Sequence, residues 1–364
     1  MEPFKKAFVF LLHTFLLTSL PFALNIVLSK KTEAEALVSW KGVVCNTEVS
    51  FYEIYLPGVG LHGTLDQLEF SSFPNHTSLE LCCSLLSILT KLMKLKGIGL
   101  ASNNFFGSIP NIFGSMPNLE ILELNSFEEK IPSSLGKHGN LQYLGLSIDS
   151  LLNSTIPFEL GLCTNLTQLI LSESSLTGSL PLSLTNLTKL SVLVIIDSNL
   201  CGHILPYFFT NWTQLTILWI HNNSFSGEIP FEIGLLTNLN FLNLNGNRFF
   251  GYIPQTIGSL QNLLYLDLLV NLLSNQIPPT IGNLTELRSI DISSNHLTGM
   301  ISLEVGHLKS LVALDLSMKQ LSGQLPKNVS KLGKGLRVLN LNNNNFHDTI
   351  PKIFPKGCEL QYLD

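Results

Sequence analysis

One short segment of the chain has the glycine spacing of a nucleotide-binding loop. Gly58, Gly60 and Gly63 form the string G-x-G-x-x-G directly after a strand-like stretch, and such a loop can hold phosphate groups when a helix follows it. No crossover helix pattern follows here, and the same residues fit the register of a repeat that runs along the chain. The sequence therefore argues against a nucleotide ligand, and we expect no cofactor.

Residues that could act as nucleophiles or metal ligands are scattered. The sequence lacks the H-R-D and D-F-G motifs and the strand lysine of protein kinases, and it lacks the G-x-S-x-G turn of serine hydrolases. Its six cysteines form no paired C-x-x-C units, and its nine histidines follow no zinc-site spacing. We predict neither a metal site nor catalytic activity.

Charge and composition narrow the class of protein further. The 364 residues carry 21 Lys and Arg against 26 Asp and Glu, a net charge of -5, with no basic cluster. Such a surface cannot neutralise a phosphate backbone, so nucleic-acid binding is excluded. The 26 glycines and 17 prolines are too many for a helical bundle, and they are spread evenly along the chain. This even spacing indicates a repeat.

The pattern L-x-x-L-x-L-x-x-N-x-L-x-G-x-I-P recurs along most of the chain, with first leucines 22 to 25 residues apart. Those leucines are Leu95, Leu119, Leu141, Leu166, Leu190, Leu215, Leu239, Leu263, Leu287, Leu311, Leu336 and Leu360. Self-similarity at this period is typical of a leucine-rich repeat solenoid, in which stacked coils bury leucines that no single coil could cover. A further strand is predicted at residues 54–56, and a shortened repeat at residues 78–92.

The Asn position of the repeat turns the chain away from the strand. Its buried amide must bond backbone groups of adjacent coils, or the fold loses about 1–3 kcal/mol. The predicted ladder consists of Asn103, Asn223, Asn247, Asn271, Asn295 and Asn344.

Other residues take the Asn position elsewhere, namely Phe127, Asp149, Ser174, Ser198 and Lys319. Aspartate and serine can still bond the backbone, whereas phenylalanine and lysine cannot replace an amide acceptor. We therefore expect local irregularity at Phe127 and Lys319, and a kink near Phe127, whose repeat is two residues short.

The I-P step closes most repeats, and proline suits an edge position before an irregular segment because it lacks a backbone donor. This 24-residue form with G-x-I-P resembles the plant-specific class of leucine-rich repeats, over residues 54–364 in about twelve repeats. The resemblance implies an α/β solenoid, a right-handed superhelix with a parallel concave sheet and an irregular or 3-10 convex side. It also implies that the I-P segments build a short second sheet on one flank.

The N-terminus has the layout of a secretory signal peptide at residues 1–23. Lys5 and Lys6 precede an apolar run that ends near Ala23, where we predict cleavage. An uncleaved signal anchor is the alternative, and it would be the only membrane helix in the chain. Residues 24–53 resemble a degenerate N-terminal cap of plant receptor-like kinase ectodomains, since Trp40 precedes the string G-V-V-C-N that contains Cys45. The chain ends inside a predicted strand, which suggests an ectodomain fragment.

Eight N-x-S/T sequons support export independently of the signal peptide. The predicted glycosylation sites are Asn75, Asn153, Asn165, Asn186, Asn211, Asn222, Asn283 and Asn328.

The outward strand positions of the middle repeats are apolar or aromatic, and we expect them to form an exposed hot spot on the concave face. The predicted ligand-binding residues are Gln168, Ile170, Val194, Ile196, Ile217, Trp219, His221, Phe241 and Tyr265. Trp219→Ala is then expected to weaken partner binding without unfolding the array, and a glycan on Asn222 would cover one edge of this patch. The alternative is that these side chains pack against each other along the sheet for stability.

The family resemblance implies a non-catalytic extracellular recognition module of plant signalling or defence. Such a module binds a peptide or a co-receptor kinase ectodomain on its concave face, after passing through the secretory pathway to the apoplast or the outer face of the plasma membrane. One alternative is a secreted inhibitor similar to polygalacturonase-inhibiting proteins. The other is a truncated paralogue without a function of its own.

Overall fold

A computed structural model describes residues 43–45, 51–55, 62–64, 96–99, 104–106, 108–109, 111–125, 130–147, 154–172, 175–332, 335–347 and 360–363. The signal peptide, most of the predicted cap and the shortened repeat at residues 78–92 lie outside these ranges. So do Asn75, Asn103, Phe127, Asp149, Asn153 and Ser174.

The leucine pattern produces a 14-stranded main sheet. Its first strand pairs antiparallel with the second, and every later neighbour is parallel, with each residue opposite its equivalent in the next repeat, as in the pair Leu218 and Leu242. The strands are Val43–Cys45, Phe51–Tyr55, Gly97–Gly99, Ile121–Asn125, Tyr143–Ser147, Gln168–Ser172, Val192–Ile196, Ile217–Trp219, Phe241–Asn243, Tyr265–Asp267, Ser289–Asp291, Ala313–Asp315, Val338–Asn340 and Tyr362–Leu363.

A second, 8-stranded parallel sheet runs along one flank. Its strands are Thr177–Gly178, Asn199–His203, Ser224–Glu228, Arg248–Gly251, Leu272–Asn275, His296–Gly299, Gln320–Gly323 and Asn345–Phe346. A separate pair joins His62–Thr64 to Asn104–Phe106. The expectation that the I-P segment builds this sheet is wrong in its placement, since each strand ends before the isoleucine. Proline cannot donate a ladder hydrogen bond, and it lies instead at the start of the next element.

Short 3-10 helices form the opposite side of the coils. They span Asn111–Ser115, Ser133–Lys137, Phe158–Leu162, Leu182–Asn186, Phe231–Leu235, Gln255–Ser259, Pro279–Asn283, Leu303–His307 and Lys327–Lys331. The I-P proline is the extended N-cap residue of most of them, as at Pro254, and Ser302 takes this place where the proline is missing.

The repeat that begins at Leu190 has one extra residue before its proline, Pro206. It forms an α-helix, Pro206–Asn211, where its neighbours have 3-10 helices. Trp212 directly follows this helix, and its side chain is buried. Its indole N–H donates to the Leu184 carbonyl of the preceding coil at 2.9 Å, and its ring lies 4.8 Å from that of Phe208. The insertion therefore leaves the spacing of the strands unchanged.

One continuous hydrophobic core fills the coils between the sheets and the helices, and its members are mainly the repeat leucines and isoleucines. The predicted α/β leucine-rich repeat solenoid, with a long parallel sheet, a short flanking sheet and a 3-10 side, is confirmed.

The asparagine side chains tie consecutive coils together. Asn295 donates to the carbonyls of Ile292 and Ser293 in its own coil and of Leu268 in the coil before, and its Oδ1 accepts from the Leu273 N–H at 3.0 Å. The same four-bond arrangement recurs at Asn223, Asn247, Asn271 and Asn344.

The irregularity expected at Lys319 is not found. Strand pairing continues in register around it, and the buried ammonium donates to the Ser317 carbonyl at 3.1 Å, which copies one of the bonds that asparagine makes. Ser198 copies the same bond to the Ile196 carbonyl. Lysine cannot accept a hydrogen bond, so the acceptor bond of the ladder is lost in that coil, together with the two other donor bonds that an asparagine such as Asn295 makes.

Candidate binding face

The outward face of the main sheet carries a second hydrophobic cluster, separate from the core. We name it the aromatic cluster, and its buried members are Val194, Ile217, Trp219, Phe241 and Tyr265. Only 8% of the Trp219 surface is exposed, and the other four residues are buried to a similar degree or more deeply. The expectation of an exposed apolar patch is therefore wrong for these five residues.

Mutual packing along the sheet explains this burial. Neighbouring parallel strands lie about 4.8 Å apart, and Ile217, Phe241 and Tyr265 occupy paired positions on three consecutive strands. Large side chains at that spacing cover one another. The alternation of inward and outward positions along one strand does not reveal this, because the covering residues lie a whole repeat away in the sequence.

The remaining residues of the predicted patch form its rim. Gln168, Ile170 and Ile196 are half-buried, and both isoleucines pack against the aromatic cluster. His221 is half-buried as well, with its ring 6.3 Å from that of Trp219 and at a steep angle to it.

Within the described structure, the Nδ1 atom of His221 is buried without a hydrogen-bond partner. Burial lowers the pKa of His221 below 6.5, and the nearby charge of Asp197 opposes the shift. Asn222, next in the chain, is exposed and donates to the Asp197 carboxylate at 2.6 Å.

A column of three buried carboxylates continues the same face beyond the aromatic cluster. Asp267, Asp291 and Asp315 occupy paired positions on three consecutive strands. Asp291 accepts the backbone N–H and the hydroxyl of Ser293, and Asp315 makes the same two bonds to Ser317. We refer to these residues, together with Lys319, as the acidic column.

Burial changes the ionisation of this column. Burial and, to a lesser extent, the neighbouring carboxyls of Asp267 and Asp315 together raise the pKa of Asp291 to about 7. Burial lowers the pKa of Lys319 to about 7, although Asp291 and Asp315 favour its charged form. The Tyr265 hydroxyl donates to Asp267 at 2.9 Å and so joins the acidic column to the aromatic cluster.

A polar groove of about 730 Å³ lies beside the aromatic cluster, where the strands begin. Its lining residues precede the outward strand positions in five consecutive coils: Thr167, Lys189, Ser191, Gln214, Thr216, Asn238, Asn240 and Asn262. Sequence reasoning missed this groove. The signal that could have revealed it is the run of hydroxyl and amide residues on either side of the first leucine of each repeat.

The hydrogen bonds of the groove leave acceptors available. Thr167, Ser191 and Thr216 donate their hydroxyls to backbone carbonyls of the preceding coil. The amides of Asn238 and Asn262 each donate to the preceding coil, at 3.0 and 2.9 Å.

Asn240 donates instead to the carbonyl of Asn262, at 2.9 Å. Among the described residues, no donor bonds the Oδ1 atoms of these three asparagines. A ligand with N–H or O–H groups therefore fits the groove.

The described residues contain no group of three side chains able to hold a metal ion. Every helix in the described ranges is too short to cross a lipid bilayer.

The chain is similar to known proteins in both its repeat sequence and its fold. The Leucine Rich Repeat family pattern matches residues 214–236, 238–260, 286–308 and 335–356. No curated protein sequence was found to match the chain.

Among solved structures, a TDR receptor is 27% identical, with a TM-score of 0.73, 84% of this chain covered and 50% of that one. The Arabidopsis receptor kinase HAESA, in complex with the peptide hormone IDA and the co-receptor SERK1, is 30% identical, with a TM-score of 0.70, and 86% of this chain and 53% of that one are covered.

A third structure, of PEPR1-AtPEP1, is 29% identical with a TM-score of 0.57, and the match covers 85% of this chain and 48% of that one. The chain therefore spans about half the length of these receptors. It contains leucine-rich repeats, and its solenoid is similar to the solenoids of plant receptor-kinase ectodomains.

Proposed function

We propose that the chain is a non-catalytic extracellular recognition module that binds an extended peptide on the inner face of its main sheet, and that this bound surface is presented to a co-receptor ectodomain. The observation that carries the proposal is the polar groove, because it is preformed and offers the side-chain acceptors of Asn238, Asn240 and Asn262 on two neighbouring coils. A preformed site loses little ordering entropy on binding.

The chemistry of the groove suits a peptide main chain. Backbone N–H groups of an extended peptide can donate to the Oδ1 atoms of Asn238, Asn240 and Asn262, and main-chain bonds of this kind supply affinity in many peptide complexes. Gln168 and His221, at the rim, are then available to contact ligand side chains. The buried members of the aromatic cluster support the sheet beneath the ligand and do not contact it directly.

The similar HAESA structure holds the peptide hormone IDA together with the co-receptor SERK1. This complex supports a peptide as the ligand class here.

The test is a screen of a synthetic peptide library against the secreted chain, followed by calorimetry on the best peptide. Asn240→Ala removes one acceptor and is expected to weaken binding about tenfold, the effect of one lost hydrogen bond with its desolvation. Asn199→Ala is the matched control, because Asn199 is an exposed asparagine on the second sheet. Equal affinity of the Asn240→Ala variant and the control, or a library without a binder, would contradict the proposal.

A further inference from the structure

The helical side of the coils carries a row of exposed apolar residues, which we name the helical row. It consists of Phe158, Leu182, Tyr207 and Phe231, each directly after the proline of its coil, and all four are mostly exposed. In the next two coils the same position holds Gln255 and Pro279. The helical row is therefore continuous over four consecutive coils, and Leu303 is a separate exposed residue at the same position after these two coils.

The last position of each helix, four residues later, differs between the outer and the inner coils. In the outer coils it holds Leu162 and Leu235, and both are exposed. In the two inner coils it holds Asn186 and Asn211, which begin the sequons N-L-T and N-W-T. The apolar row is thus interrupted in its centre only by asparagines that can carry a glycan.

The geometry at Asn211 points the side chain back along the row. Residues four apart lie on the same face of an α-helix, and the Asn211 Nδ2 donates to the Tyr207 carbonyl at 2.8 Å. The Tyr207 ring is 65% exposed and has no partner ring among the described aromatic contacts. A sugar attached to Nδ2 would start directly beside that ring.

We propose that Asn186 and Asn211 are glycosylated and that the first sugars of these glycans cover Leu182 and Tyr207. In the covalent step, the asparagine Nδ2 attacks the anomeric carbon of an oligosaccharide linked to a lipid pyrophosphate. A new N–C bond forms, the amide loses one proton, and the lipid pyrophosphate leaves. The remaining Nδ2 hydrogen still serves the bond to the Tyr207 carbonyl.

Surface chemistry favours a glycan over a protein partner as the occupant of the helical row. A pyranose ring has one face of C–H groups that can lie on an aromatic or aliphatic side chain, while its hydroxyls remain in water. A protein docking on this side would have to avoid two bulky glycans in the middle of its interface. Contiguous exposed apolar residues otherwise promote association, so the covering also keeps the chain soluble.

The experiment uses the full chain secreted from plant cells. Site occupancy is measured by mass spectrometry, and the rate of glycan release by an endoglycosidase is then measured at each site under native conditions. Asn283 is the internal control, because it ends the helix Pro279–Asn283 at the same position as Asn186 and Asn211 but has a proline in place of the large apolar residue.

We expect Tyr207→Ser to speed release at Asn211 by about threefold or more, as the loss of one aromatic contact would, with no change at Asn283. Asn211→Gln should increase the binding of a hydrophobic dye to the secreted protein. An unmodified Asn211, or an unchanged release rate in Tyr207→Ser, would overturn the proposal. Tyr207 is exposed, so this variant is not expected to impair folding.

Discussion

The aromatic cluster and the carboxylates of the acidic column lie on the same outward face of the main sheet, yet they are stabilised in different ways. The aromatic cluster closes by contact between large side chains on neighbouring strands. The acidic column is just as deeply buried, but Asp291 and Asp315 are held by hydrogen bonds from serine, and their charges favour the charged form of the nearby Lys319. The comparison shows that the repeat geometry sets the burial of a position, and that the residue type then decides what this burial costs.

The largest expected effect comes from the aromatic cluster. Trp219→Ala removes its largest member and should lower the free energy of unfolding by about 3–5 kcal/mol, as a buried tryptophan does elsewhere. This replaces the sequence-based expectation that the variant keeps its stability. Denaturant unfolding of the purified chain measures the loss, with Ile196→Ala at the half-buried rim as a milder control. A loss under about 1 kcal/mol would mean that this half of the sheet is not closed by packing.

The acidic column should respond to pH where the aromatic cluster does not. Between pH 4 and 7 folded Asp291 holds a proton that the unfolded chain has lost, so the free energy of unfolding falls as pH rises. Between pH 7 and 10.5 the unfolded chain keeps the Lys319 proton that the folded chain has lost, so the free energy rises again. We therefore expect a stability minimum near pH 7.

Variants separate the two limbs of this profile. Asp291→Asn should flatten the acidic limb, and Lys319→Met should flatten the alkaline limb, in unfolding curves recorded across the pH range. His221, beside the aromatic cluster, acts with the opposite sign to Asp291. Its lowered pKa means that the unfolded chain binds the extra proton, so stability falls as pH falls below about 6.5. A profile unchanged by Asp291→Asn would show that the column does not titrate.

The smallest expected effect concerns the turn that leaves each strand. The residue before the ladder position has a positive φ in successive coils, and glycine or asparagine suits it, as at Gly246 and Asn222. Val270 has this conformation with φ of 52°, although a β-branched residue is strained there. Val270→Asn should therefore raise the free energy of unfolding by about 1 kcal/mol.

The matched control for Val270→Asn is Ser294→Asn. Ser294 takes the same conformation one coil later, with φ of 51°, but has no branched side chain. Calorimetric melting of the two variants gives the comparison, and an equal shift in both would exclude strain at Val270 as the cause.

The sequence predicts the parts of the fold that repeat. The leucine register places all the strands of the main sheet that follow residue 95, because the same inward positions recur in every coil. It also places the 3-10 side, since proline marks where each helix begins. The family resemblance places the second sheet at the I-P step, which is one segment too late. Proline has no backbone N–H to donate, so the strand ends before it.

The candidate site could be predicted only in part. His221 and Gln168 lie at the rim as expected, but the burial of Trp219 and Phe241 depends on residues from other coils. The groove has the same origin, since Ser191 and Thr216 meet only after stacking. The sequence of one strand does not show contacts between residues that lie one repeat apart. Such contacts can be predicted when the repeats are aligned with one another, so that equivalent strand positions are compared.

The α-helix Pro206–Asn211 shows where this protein can change its length. One added residue is taken up on the helical side, and the strand pairs on either side, as between Leu193 and Leu218, keep their register. The main sheet keeps its strand pairing fixed, while the opposite side of the coil tolerates a change of length. Residues added on the helical side should therefore leave the register of the main sheet unchanged.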